Sequence, residues 1–146
     1  MSEEIVVNHH SKFSKCPTDV YALVLYGYAD LMSKNLADKG LVIDINEVIS
    51  ATIGNEVVGI MVFFETEADY IWINLAYVKE EHRNKGIYKA MLGCLNEEAR
   101  SRDIKSLRSG TGIENEVMIV VKEKVGFVKT YIMHEYKIED VDQCEK

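Results

Sequence analysis

The chain has 146 residues, 47% of them hydrophobic and 28% charged, which is the size and apolar content of one compact domain with a substantial core. A formal net charge of −7 argues against a nucleic-acid partner, and the longest apolar run, Val20 to Ala29, is about half of the roughly 20 residues needed to cross a bilayer. MSEEIVV opens with acids where a secretory signal carries basic residues, and Cys16, Cys94 and Cys144 are odd in number and widely spaced. The expectation is a cytoplasmic protein with reduced thiols and no membrane segment.

In chain order, Glu4 to Val7 reads as a short strand. From Thr18 to about Asn35, Val20, Leu23, Val24, Tyr28 and Leu31 recur at the spacing of a helix face, and Pro17 suits its start. Glu47 to Ile53 and Val57 to Phe64 are β-branched or aromatic runs around the turn signal Gly54-Asn55-Glu56, which predicts a hairpin. Tyr70 to Val78 is the next strand. A helix to about Arg100 then carries Ile87, Ala90, Met91, Cys94 and Leu95 on one face. Ile104 to Arg108 is a strand, and Glu114 to Lys124 a helix with Val117, Val120 and Val121 inward. Phe127 to Ile138 reads as a final long strand or pair, followed by an acidic tail at about 139–146. Residues 1–146 thus form a single α/β layered domain, with no linker, repeat or low-complexity segment to divide them.

HRNKGIYKAM, at residues 82 to 91, joins the predicted strand ending at Val78 to the next helix. The first N–H groups of a helix lack intrahelical acceptors and sit at the positive end of its dipole, so an anion is favoured there. Gly86 lets the backbone approach a phosphate, and Arg83 and Lys85 add positive charge at the rim. On its own, the stretch reads better as an ordinary turn with a turn glycine at Gly86.

VKEEHRNKGIYKAM, Val78 to Met91, resembles the acetyl-CoA signature of the GNAT superfamily of N-acetyltransferases, Arg/Gln-x-x-Gly-x-Gly/Ala between a strand and a helix. Three further features are similar to that family: the hairpin ATIGNEVVGIMVFF with Gly59, Asn115 opening the next helix, and Lys124-Val125-Gly126-Phe127 before the last strands. The resemblance spans about Ile43 to Ile138. It implies a three-layer α/β sandwich, with a mixed central sheet of about six to seven strands and helices on both faces. It also implies an N-acetyltransferase with acetyl-CoA as cofactor and a small-molecule or protein amine as acceptor.

Carried over by position, the resemblance has Arg83, Asn84, Lys85, Gly86, Ile87 and Tyr88 wrap the pyrophosphate, mostly through main-chain N–H groups. Ala76 and Val78 would pair through their backbone with the pantetheine arm, and Asn115 would hydrogen-bond it. The Ala76 N–H would face the thioester oxygen. Tyr88 departs from the family's glycine or alanine, so the loop would open slightly or turn the ring outward.

The catalytic positions depart further. Members that use a base on the fourth strand place glutamate or histidine at positions matching Trp72 and Asn74, neither of which titrates usefully. Asn74 is the candidate to hold a proton-carrying water, and reads equally as a strand asparagine satisfied by neighbours. Lys122 replaces the tyrosine that many members use as general acid. It would donate a proton only if burial lowers its pKa, and otherwise reads as an exposed helical lysine. Tyr131, Tyr136 and His134 are the remaining acid or base candidates.

Glu65, Glu67 and Asp69 would draw in a cation or form a solvated turn. The stripe Tyr21, Leu25, Tyr28, Met32 would be core, pocket wall or the contact of a homodimer. His9 and His10 are adjacent and point to opposite faces of a strand, so no metal site is expected. The alternative from another class is a non-catalytic acyl-CoA-binding or protein-interaction module with a degenerate site.

Overall fold

The computed structural model of the protein describes residues 4–36 and 46–138. The expected acidic tail, with Cys144, lies outside them. In chain order come β1 (Ile5–His10), α1 (Thr18–Ser33), β2 (Glu47–Ile53), β3 (Glu56–Glu65), β4 (Tyr70–Val78), α2 (Ile87–Ser101), β5 (Ser106–Ser109) and α3 (Glu116–Lys124). Neighbours in the sheet follow the same order, antiparallel from β1 to β4 and parallel between β4 and β5. The sheet is therefore mixed, as expected, with five strands among the described residues.

One apolar layer forms on each face. On the first, Val20, Leu23 and Val24 of α1 cover Val48, Ile60, Val62, Leu75 and Tyr77. Gly27 brings α1 so close that a Cβ there would lie 2.6 Å from the Tyr77 ring. On the second face Ile87, Met91, Leu95 and Ala99, spaced four apart along α2, cover Ile49, Met61, Phe63 and Ile71. Met91 and Leu95 are wholly buried, which stabilises the fold by about 1.5–3 kcal/mol for each such side chain. Gly59 makes room for the start of α2: a Cβ at that position would meet Ile87 at 2.9 Å and Met91 at 3.1 Å.

The last turn of α2 is tied to the far edge of the sheet by charge. Arg102 donates to both Glu47 oxygens, at 2.8 and 2.7 Å, and to Glu98 at 2.9 Å, while His9 reaches Glu47 at 2.8 Å. Burial alone would raise the Glu47 pKa, but the hydrogen bonds from Arg102 and His9 outweigh it and hold it lowered. A depressed carboxylate pKa means that the unfolded chain binds the proton more tightly, so the stabilisation is present above the ordinary glutamate range and lost as pH falls through the folded pKa. Arg102→Met is expected to cost about 2 kcal/mol in urea denaturation at pH 7, with a shallower loss of stability on acidification than the parent. Equal acid limbs in the two proteins would exclude this account.

Two expectations at the C-terminal side are corrected. Phe127 to Ile138 forms no strand: the Phe127 N–H bonds back to the Lys122 carbonyl at 2.9 Å, and the side chains from Val128 onward are exposed. Its β-formers have propensity but no covering layer, and propensity without a face to bury does not hold a strand. Val117 and Val120 also point outward, 76% and 48% exposed, because α3 has no second layer behind it. No helix among the described residues is long and apolar enough to cross a membrane.

Candidate functional site

The site begins with a fault in β4. Val62 and Phe63 are consecutive on β3 but pair with Leu75 and Ile73, so Asn74 is an extra, bulged residue. Its consequence is a change of face. Ile71 and Ile73 pack under α2, whereas Leu75 and Tyr77 pack under α1, although strict alternation would keep all four together. Beyond the bulge, Ala76 and Val78 are left on the α2 side.

The same stretch of β4 has a free edge. β5 pairs only with Tyr70 to Ile73, ending at Ser109, so the strands part from Asn74 onward. The Lys79 N–H bonds to the Val58 carbonyl on β3 at 2.9 Å. By alternation, the main-chain groups of Tyr77 also turn to β3, and those of Ala76 and Val78 turn to the open side. Arg83 Nε donates to the Val78 carbonyl at 2.9 Å, leaving the Ala76 amide facing the gap.

At the end of this edge the chain makes a tight entrance to α2. Asn84 and Gly86 have φ of 64° and 80°, and Gly86 is the N-cap residue without a side-chain cap. The first helical bond runs from Ala90 N–H to the Gly86 carbonyl at 3.0 Å, so the amides of Ile87, Tyr88 and Lys89 have no intrahelical acceptor. A Cβ on Gly86 would meet nothing within 4 Å, so the turn is open on that side. Ile87 points into the core and contributes only its backbone here.

Side chains brace the loop more than they fill it. The Arg83 guanidinium lies 5.5 Å from the centre of the Tyr77 ring, and the Tyr77 hydroxyl donates to Asp30 at 2.9 Å. Burial and the Asp30 carboxylate push Tyr77 up to about 12, so it stays a neutral donor. Glu56 reaches Lys79 at 2.9 Å and His82 at 3.3 Å, tying the loop to the β2–β3 turn, and Lys85 lies 3.3 Å from His82. Of the two accommodations expected for Tyr88, an opened loop or an outward ring, the second is not seen: the ring packs inward on the α2 layer, where burial raises its pKa to about 12.

The proposed catalytic positions separate. Asn74 donates to Asn46 at 2.8 Å and is a bonded strand asparagine, and the Trp72 ring lies against Gly110. Lys122 is half-buried, not the exposed helical lysine that its segment suggests. Its ammonium donates to the Gly110 carbonyl at 3.1 Å and to the Thr111 hydroxyl, immediately beyond the end of β5. Burial lowers its pKa to about 8. Asn115 caps α3 by accepting from the Met118 N–H at 3.2 Å. Tyr131, His134 and Tyr136 are exposed. Glu67 and Asp69 lie in a solvated turn, and Tyr21 and Tyr28 pack on the α1 layer while Leu25 is 44% exposed. His9 and His10 do point to opposite faces, His9 stacking on Phe63 and His10 bonding Ser50.

The profile of the acetyltransferase (GNAT) family matches residues 17–127. A ribosomal-protein-alanine N-acetyltransferase from Brucella melitensis biovar Abortus 2308 superposes with a TM-score of 0.69 at 19% identity, over 92% of this chain and all of that one. An aminoglycoside acetyltransferase from an uncultured soil metagenomic sample, in complex with sisomicin, gives 0.72 at 13% identity over 93% and 97% of the two chains. AAC(6')-Iy with a bisubstrate analogue, CoA-S-monomethyl-acetylneamine, gives 0.64 at 12% identity over 94% and 99%. At such identities the likeness is one of fold. No curated protein is a significant match to the sequence.

Proposed function

The chain belongs to the GNAT family of acetyltransferases, and from that premise we propose that it transfers the acetyl group of acetyl-CoA directly to a primary amine of a small molecule or protein. The observation that carries this reading is the junction of the open β4 edge with the uncapped start of α2. The two together suit an extended, amide-containing arm that ends in a pyrophosphate. Unpaired amides of Ile87, Tyr88 and Lys89 would hold the anion, and the edge at Ala76 and Val78 would pair with the arm as an added strand does. Arg83 would act through the loop it braces, since its side chain is folded on Tyr77 and Val78.

Acetyl-CoA supplies an activated thioester whose thiol is already a fair leaving group. This chain's part is to place two groups around it. The Ala76 N–H is a donor for a carbonyl oxygen on which negative charge develops. Lys122 would be the residue to give one ammonium proton to a departing thiolate and to be restored by the proton that the attacking amine loses, so the exchange would balance. A lysine near pKa 8 is well matched to a thiol near 8.5, which makes that transfer nearly even in energy.

A second reading, a binding module without turnover, draws on Trp72 and on the engagement of Asn74 by Asn46. One experiment separates them: thermal unfolding with and without saturating acetyl-CoA, with CoA-thiol release measured over a panel of amines. At about 100 times its dissociation constant the ligand adds roughly 2.7 kcal/mol, a rise of several degrees in Tm. A shift with thiol release on one amine supports the transferase. A shift without release on any amine favours the module, and no shift overturns both.

A further inference from the structure

The segment that leaves α3 carries Val128, Tyr131, Ile132, Met133, Tyr136 and Ile138, all 67–88% exposed. At about 150–250 Å² for a large side chain these present roughly 900 Å², beyond the ~300–600 Å² of the largest apolar patch on an ordinary monomer. No strand of the described sheet pairs with the segment, although its residues are strong β-formers. A stretch of that composition with an open main chain is a template for pairing with another chain. Its alternation is also that of a strand with one apolar face. Val128, Ile132, Tyr136 and Ile138 share one parity, and the charged Lys129, Glu135 and Lys137 share the other.

We propose that two copies of this chain associate through these segments, residues 127–138 pairing antiparallel about a two-fold axis centred on Ile132. Charge and apolar matching select that partner and that register. With Ile132 opposite its own copy, Lys129 faces Glu135 twice, Val128 faces Tyr136 and Tyr131 faces Met133. Moving the centre to Met133 would instead set Lys129 against Lys137. Within one chain Lys129 reaches only Glu123, at 3.2 Å, with both side chains well exposed. Burying two thirds of the exposed apolar area in both copies removes roughly 1,200 Å², the lower limit for a stable interface of about 1,200–2,000 Å². A two-stranded ribbon also needs apolar cover on one face. Val117 and Val120, exposed on the helix that leads into the segment, offer it.

The test is sedimentation of the full chain, which should dimerise with a Kd of about 10 µM or tighter. Lys129→Glu sets carboxylate against carboxylate at both ends of the ribbon and should weaken the dimer at least about 10-fold. Lys129→Glu with Glu135→Lys restores the pairing and should recover most of that loss, which a merely disturbed fold would not. Position is tested by mild oxidation. Ile132→Cys brings two sulfurs to an antiparallel pair at a Cα separation of about 4.5–5.5 Å and should give more disulfide-linked dimer than the parent. Val128→Cys, whose copies lie at opposite ends of the ribbon, should give no more than the parent. A parent that stays monomeric at about 100 µM overturns the proposal and leaves the segment to its own chain or to another protein. A dimer that neither Lys129→Glu weakens nor Ile132→Cys links also overturns it, and moves the contact to another surface such as the α1 stripe.

Discussion

Gly86→Glu should abolish acetyl-CoA binding, with at least about a 100-fold loss of affinity and no ligand-induced rise in Tm. Two effects combine at this residue. The backbone at φ 80° is left-handed, which costs a residue with a Cβ about 1–2 kcal/mol. The carboxylate would also place a negative charge over the unpaired amides at the α2 start, where the dipole favours an anion and a bound phosphate would repel it. Gly86→Ala separates the two. Its methyl meets nothing within 4 Å, so it carries the conformational cost alone and should lower stability while weakening binding by less than about 10-fold. If Gly86→Glu binds acetyl-CoA as Gly86→Ala does, charge at this turn is irrelevant and the phosphate reading of HRNKGIYKAM is wrong.

The legible part of the molecule was the part with local periodicity. Tyr70 to Val78 and the Glu47 to Ile53 strand were predicted to the residue, and α2 to within one at its end, because apolar spacing and the turn residues around them agree. The bulge at Asn74 had no such signal. Ile71, Ile73, Leu75 and Tyr77 alternate without interruption, so the sequence suggests one buried face where the structure has two. The Arg102 to Glu47 link joins residues 55 apart and is likewise silent in any window of sequence. Lys122 was ambiguous for the same reason, since what buries it is the 110–111 turn folding over α3. The error at Phe127 to Ile138 ran the other way: strong β-formers were given a layer that the rest of the fold does not provide.

Lys122→Met should reduce kcat by about 100-fold or more while leaving the KM for acetyl-CoA within about 3-fold, the pattern of a group that acts only in the chemical step. Methionine keeps the straight stem and removes the proton. The parent's kcat should fall above pH about 8, as the lysine loses the proton it must donate, and this alkaline limb should be missing from the variant. Stability provides the control. The folded pKa is below the ordinary 10.5, so between about pH 8 and 10.5 the unfolded chain retains a proton that the folded chain has released, and stability rises with pH across that window. Below pH 8 the full cost of burying the ammonium is present. Lys122→Met removes that cost together with the bonds to Gly110 and Thr111, so near pH 7 it should unfold at about the parent's temperature and fall below the parent as pH rises towards 10. Loss of turnover with the fold intact and the alkaline limb gone would make Lys122 the proton donor. An unchanged kcat, or an alkaline limb that survives the substitution, would return it to a structural lysine bracing the turn after β5.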